Sequence, residues 1–207
     1  MMALKALYLN TSLKHGDQES NTEALMKKSI EILENEGVET ELLRVSDYNI
    51  KIGMSADMGE GDQWPMIFDK IVNSDIIVMG TPIWNGHKSS VATLVMERIY
   101  AQSGETAENG QSKYYNKVFG TVVTGNEDGA KEAGGSILSR MANLGFTIPP
   151  NNLAYWVGEA GPGPSYIKAG QDSDFTKKQT EMLSYNLIHL ARILKNNPIP
   201  AIGNTLK

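Results

Sequence analysis

A chain of 207 residues with 41% hydrophobic and 21% charged residues is long enough to bury roughly 70% of the surface its unfolded form exposes, so one globular domain over 1–207 is expected. The absence of cysteine excludes disulfides, cysteine-ligated zinc, cysteine-held iron–sulfur clusters and thiol nucleophiles. A formal net charge of −5 without a basic window leaves nucleic-acid affinity no electrostatic source, and no stretch approaches the ~18 apolar residues of a membrane span. The apolar run at residues 6–9 is too short for a signal-peptide core, so a soluble, cytoplasmic, unprocessed protein is expected.

In chain order, apolar runs short enough for strands alternate with longer segments of helical period, the pattern of βαβ units and a parallel sheet. The first strand is expected at residues 4–9, followed by the polar segment Asn10-Thr11-Ser12-Leu13-Lys14. Leu25, Met26, Ile30 and Leu33 form one helical stripe, stopped by Asn35-Glu36-Gly37. A second strand at 39–44 leads into a long connection, 45–61, and then a helix over 62–73 with Asp62 as N-cap and Pro65 in its first turn. The third strand, 75–79, is followed by Gly80-Thr81-Pro82-Ile83-Trp84-Asn85-Gly86, which reads as a loop. Val91, Leu94, Val95 and Ile99 define the next helix, a second long connection covers 103–116, and residues 117–123 are the fourth strand. Ala133, Ile137, Met141 and Leu144 make the fourth helix, 152–156 the fifth strand, and 157–174, centred on Gly-Pro-Gly-Pro, the third long connection. Leu183, Leu187, Leu190 and Leu194 mark the last helix, and 198–207 reads as an arm that packs on a partner subunit or frays.

In an open parallel sheet, ligands bind outside the carboxyl ends of the strands near the switch in strand order, so the polar segments on that edge describe one site. Ser12, Lys14, Ser20, Asn21 and Thr22 crowd hydroxyls, an amide and a cation around the first helix start, where free N–H groups and the helix dipole favour an anion. Ser20 and Glu23 also have the spacing of a capping box, which closes a helix without any ligand. Neither G-x-x-x-x-G-K-[ST] nor G-x-G-x-x-G is present, so the phosphate is expected to be terminal, as in a mononucleotide.

In the second segment Pro82 fixes φ, while Ile83, Trp84, Asn85 and Gly86 offer backbone donors and an aromatic face for a planar heterocycle; the alternative is Trp84 as an apolar cap on the core. Thr124-Gly125-Asn126-Glu127-Asp128-Gly129 closes the fourth strand on the same edge, with glycines that allow close backbone approach. Tyr155, Trp156 and Tyr166 could form an aromatic wall or simply pack. His15, His87 and His189 lack metal-binding spacing, no G-x-S-x-G elbow supports a serine hydrolase, and Glu127-Asp128 reads as a solvated turn.

On Ser12-Leu13-Lys14 with Ser20-Asn21-Thr22, on residues 75–84 and on Val123-Thr124-Gly125, the chain resembles the flavodoxin-like FMN-binding proteins, in particular the NADPH-dependent FMN reductase and quinone reductase branch. The resemblance covers residues 4–156. It implies an α/β fold, a three-layer doubly wound parallel sheet of five strands in the order 2-1-3-4-5. It also implies that the first loop holds the FMN phosphate, that Thr81, Pro82, Ile83, Trp84, Asn85 and Gly86 hold the ribityl chain and one ring side, and that Thr124, Gly125, Asn126 and Gly129 approach the pyrimidine edge. NAD(P)H would then be the electron donor and a quinone-like small molecule the acceptor, with no catalytic side chain required and with a homodimer or homotetramer completing the pocket. A one-electron carrier of flavodoxin type is the alternative, and a cofactor-free binding subunit a third reading. Thr11 and Lys14 stand where the family commonly has glycine and arginine, residues 15–19 lengthen the loop, and the cysteines of the cluster-bearing members are missing from 45–61.

Overall fold

The structure, a computed structural model, describes residues 3–206. Five parallel strands form its centre: β1 (Lys5–Asn10), β2 (Glu39–Arg44), β3 (Ile76–Trp84), β5 (Val118–Gly125) and β6 (Leu153–Val157), in the spatial order β2-β1-β3-β5-β6. A two-residue β4 (His87–Lys88) pairs antiparallel with the end of β3. With β4 set aside, the order is the expected 2-1-3-4-5. The crossovers are α1 (Asn21–Asn35), α2 (Trp64–Val72), α3 (Ser90–Ala101) and α4 (Ala130–Asn143), and α5 (Asp174–Asn196) closes the fold.

Strand alternation sorts the core into two faces. Leu7, Leu9, Ile77, Met79 and Phe119 pack with Trp64, Ile67 and Ile71 of α2, Val95 and Ile99 of α3, and Ile137 and Met141 of α4. Ala6, Tyr8, Ile76, Val78, Val118 and Val122 meet Leu25, Met26 and Leu33 of α1 and Leu183, Leu187 and Leu194 of α5 on the other. Both faces of the central strands are therefore covered, which is why they read as continuous apolar runs. At the amino edge of the sheet the Asp75 carboxylate accepts the Lys5 N–H at 2.9 Å and the Lys195 ammonium at 2.7 Å, joining the first strand to the last helix.

Four local expectations change. The stretch 80–84 is not loop: β3 runs on to Trp84, because Thr81 and Pro82 continue the parallel pairing opposite Val123 and Thr124. The helix expected over 62–73 starts at Trp64, after Gln63, and the Asp62 side chain instead lies buried against Arg98. Leu144 falls just past the end of α4. The arm is tied back to its own chain: Ile199 N–H donates to Asn116 Oδ1 at 2.7 Å, Gln111 Nε2 to the Ile199 and Pro200 carbonyls at 3.1 and 3.2 Å, and Leu206 N–H to the Gly110 carbonyl at 3.1 Å.

Candidate functional site

The site begins where β1 ends. Thr11 donates both its N–H and its hydroxyl to the Gly80 carbonyl, at 2.9 and 2.7 Å, so the chain leaves β1 stitched to β3. Ser20 is the N-cap of α1, its Oγ accepting the Glu23 N–H at 3.2 Å. The reciprocal half of a capping box is absent, because the Glu23 carboxylate instead accepts from Asn10 at 3.2 Å and from Arg44. Ser20 Oγ lies 3.2 Å from Ser12 Oγ and Thr22 Oγ1 lies 2.9 Å from Thr124 Oγ1, so four buried hydroxyls line the seam between β1, α1 and β5.

Residues 13–19 are exposed and are laced to the chain after β2. Ser46 Oγ donates to the Lys14 carbonyl at 2.5 Å, Gly16 N–H to Asp47 at 2.7 Å, and Arg44 Nη1 to the Gln18 carbonyl at 2.8 Å and the Gly16 carbonyl. Lys14 itself is turned onto the Glu19 carbonyl. His15 Nδ1 pairs with the Ser46 carbonyl at 2.7 Å. Burial raises the affinity of Glu23 for a proton, but the hydrogen bonds and charges of Lys27 and Arg44 outweigh it and hold the carboxyl below its usual range.

The second wall is the β3–β4 hairpin. Asn85 and Gly86, at φ 48° and 77°, form its two-residue turn, the Asn-Gly signature of a type I′ connection. Trp84 is 56% exposed, so the ring is presented to solvent rather than capping the core. Thr81 is fully buried, its Oγ1 accepting the Ser89 N–H at 3.0 Å, and belongs to the framework. Gly129, at φ 110°, sits where a Cβ would lie 2.4 Å from the Gly86 carbonyl oxygen, so its bareness serves the hairpin contact.

Asn126 closes the third side, its Nδ2 donating to the Glu159, Gly163 and Pro164 carbonyls at 3.3, 3.1 and 2.8 Å and fastening the Gly-Pro segment. Behind it Trp156 is buried edge-on against Tyr166, with ring centroids 5.8 Å apart.

These walls enclose a cleft of about 220 Å³ lined by Ser12, Lys14, Ser20, Asn21, Thr22, Pro82, Ile83, Trp84, Thr124, Gly125 and Asn126, joined by Leu13 and Trp156. Thr81, Asn85, Gly86 and Gly129 do not line it: the first is buried, the two turn residues form the hairpin tip, and Gly129 abuts Gly86. Leu13 lies inside the first polar segment, where only its polar neighbours signalled a site. Trp156 was legible only as a choice between an aromatic wall and simple packing, and it does both. The donor set suits a phosphorylated flat heterocycle: hydroxyls and the positive end of α1 for the anion, Trp84 for the ring.

A doubly wound parallel sheet with its switch between β1 and β3, and a cleft at that switch, defines a flavodoxin-like α/β protein. The sequence profile of the NADPH-dependent FMN reductase family matches residues 4–160, and the chain belongs to that family. It is thus an FMN-binding flavoprotein of the oxidoreductase class.

The chain is 38% identical over 207 residues to 8-demethyl-8-aminoriboflavin-5′-phosphate synthase of Streptomyces davaonensis, covering 95% of this chain and 80% of that protein. The crystal structure of RosB with bound 8-demethyl-8-formylriboflavin-5′-phosphate superposes with a TM-score of 0.89 at 37% identity, over 95% of this chain and 82% of that one. Over 199 residues the chain is 40% identical to the divalent metal cation transporter MntH of Mycobacterium bovis; this takes in 93% of the chain, which spans 29% of that protein's length. Among the described residues no helix is long and apolar enough to cross a membrane.

Proposed function

We propose that the cleft at the carboxyl ends of β1 and β3 holds a flavin 5′-phosphate and that the protein passes electrons from NAD(P)H through it to a small quinone-like acceptor. The observation that carries this reading is one cleft bordered both by the hydroxyl-rich start of α1 and by the exposed Trp84 ring. Ser12, Ser20, Asn21 and Thr22, with the α1 N–H groups, would take the phosphate, and Lys14 would add its charge on leaving the Glu19 carbonyl. Pro82, Ile83 and Trp84 would flank the ribityl chain and ring, and Thr124, Gly125 and Asn126 the pyrimidine edge. FMN, when bound, supplies hydride and electron transfer at its ring, and the protein supplies orientation and electrostatics. Anaerobic stopped-flow mixing of the FMN-loaded protein with NADPH and with NADH is the test: bleaching of the flavin bands is expected, and an unchanged spectrum at high donor concentration defeats the reading.

A second reading is favoured by the likeness to the synthase and to the RosB complex: the flavin phosphate would be a substrate, altered and released, rather than a resident carrier. Mass spectrometry of the flavin after incubation with the protein separates the two, since a resident cofactor returns with its mass unchanged. A stable one-electron step in a redox titration would instead favour the carrier alternative. The family expectation of a homodimer or homotetramer has a candidate face, the apolar cleft of about 430 Å³ between α3 and α4 beside exposed Tyr100, and light scattering tests it.

A further inference from the structure

Arg44 is the last residue of β2, and its side chain, 11% exposed, is engaged entirely within the protein. Nε and Nη2 grip one carboxylate oxygen of Glu23 at 3.1 and 2.6 Å, while Nη1 reaches the carbonyls of Gly16 and Gln18. One guanidinium therefore joins the exposed stretch 13–19 to the first turn of α1, whose Asn21 and Thr22 line the cleft. That stretch has little apolar burial to set its shape. What fixes it is polar: Arg44, Gly16 N–H to Asp47 at 2.7 Å, and Ser46 to the Lys14 carbonyl at 2.5 Å.

Arg44 also acts on charge. Glu23 lies in the first turn of α1, three residues after the cap Ser20, where a bare carboxylate would repel an incoming phosphate. Arg44, with Lys27 at 2.8 Å, neutralises it. A lysine at position 44 would keep the charge but not the fork that spans a carboxylate and two carbonyls.

We infer that Arg44 is a positioning residue for the phosphate end of the ligand: without touching it, Arg44 holds the 11–20 segment in the shape that supplies phosphate donors and cancels Glu23, and so sets the preference for a phosphorylated flavin over an unphosphorylated one. This rests on the flavin-phosphate reading above.

The test is equilibrium quenching of flavin fluorescence, with FMN and riboflavin measured in parallel on the full chain, for the wild type, Arg44→Met, Arg44→Lys and Asp47→Ala. Both Arg44 variants should lose FMN affinity by roughly tenfold or more while riboflavin changes by less than about twofold. Asp47→Ala, which removes only the Gly16 tie, should lose FMN affinity by roughly threefold with the same selectivity and serves if Arg44→Met fails to fold. Equal weakening of both flavins would make Arg44 purely structural and overturn the inference, as would unchanged FMN affinity in Arg44→Met. Full retention of FMN by Arg44→Lys would overturn the clamp in favour of charge alone. A wild-type chain that binds neither flavin overturns the flavin reading and this inference together, whereas the other negative outcomes sink the inference alone.

Discussion

Arg98 and Arg44 each reach from a regular element to one carboxylate and to carbonyls of a long connection, yet they sit at different depths. Arg98, on α3, has no exposed side-chain surface; it meets Asp62 at 2.9 Å and the Lys51 and Ala56 carbonyls at 2.6 and 3.3 Å, and lies 5.6 Å over the Trp64 ring. Asp62, equally buried, also accepts the N–H groups of Lys51, Met58 and Trp64. Arg44 and Glu23 keep 11% and 14% of their side chains in water and fasten a segment that borders the cleft. A pair with no access to solvent cannot lose one member without stranding a charge, so it governs whether the fold exists. A pair at the rim can be loosened with the fold intact, so it governs the shape of a site.

The sharpest way to break this contrast is Asp62→Ala, which leaves Arg98 charged and unpaired in the interior. It should cost about 3–5 kcal/mol in urea unfolding, and a loss below about 1 kcal/mol would erase the distinction between the two pairs. Burial pushes the Asp62 carboxyl up, but the N–H groups of Met58, Trp64 and Lys51 and the Arg98 guanidinium outweigh that and hold it below its usual range. A folded-state pKa below the unfolded one means stability that is fully present above about pH 4 and lost as pH falls through the folded value. The advantage of the wild type over Asp62→Asn should therefore be complete at neutral pH and shrink in acid.

Arg44→Met should cost less, about 1–2 kcal/mol by the same measurement, because Lys27 and water remain to serve Glu23. Trp64→Phe removes the indole bond to Gln102 and weakens the ring under Arg98, and a fall of about 1 kcal/mol is expected from thermal melting. Smallest of all, Lys27→Ala deletes an exposed i,i+4 partner of Glu23 and should change stability by less than about 0.5 kcal/mol; a larger loss would mean that Lys27, not Arg44, holds the rim.

Neither arginine was legible as a pin in the sequence, and the reason is sequence distance. Arg98 lies 36 positions from Asp62 and Arg44 lies 21 from Glu23, and no periodicity or short motif encodes such pairs. The strands and helices, by contrast, announce themselves because burial on both sheet faces imposes local patterns, as in Ile76-Ile77-Val78-Met79 and in the leucines of α5. The walls of the cleft were readable to the extent that they are contiguous: Ser12, Ser20 and Thr22 crowd one helix start, and Trp84 stands beside Pro82. Lys14 shows the limit, since a cation near an anion site gave no hint that it folds back on Glu19. The reading of 80–84 as loop failed because a glycine and a proline look like strand breakers, yet Gly80 and Pro82 pair in register with β5.

The junction at Asp75 also constrains the order in which this molecule can be built. One carboxylate ties Lys5, near the start of the chain, to Lys195, near its end, and α5 alone supplies Leu183, Leu187 and Leu194 to the face carrying Tyr8, Val78 and Val122. A nascent chain that has not yet released α5 from the ribosome therefore carries part of one sheet face, the part that α1 does not cover, apolar and in contact with water. Closing that face waits on α5, which begins only at Asp174, long after β3 has ended at Trp84.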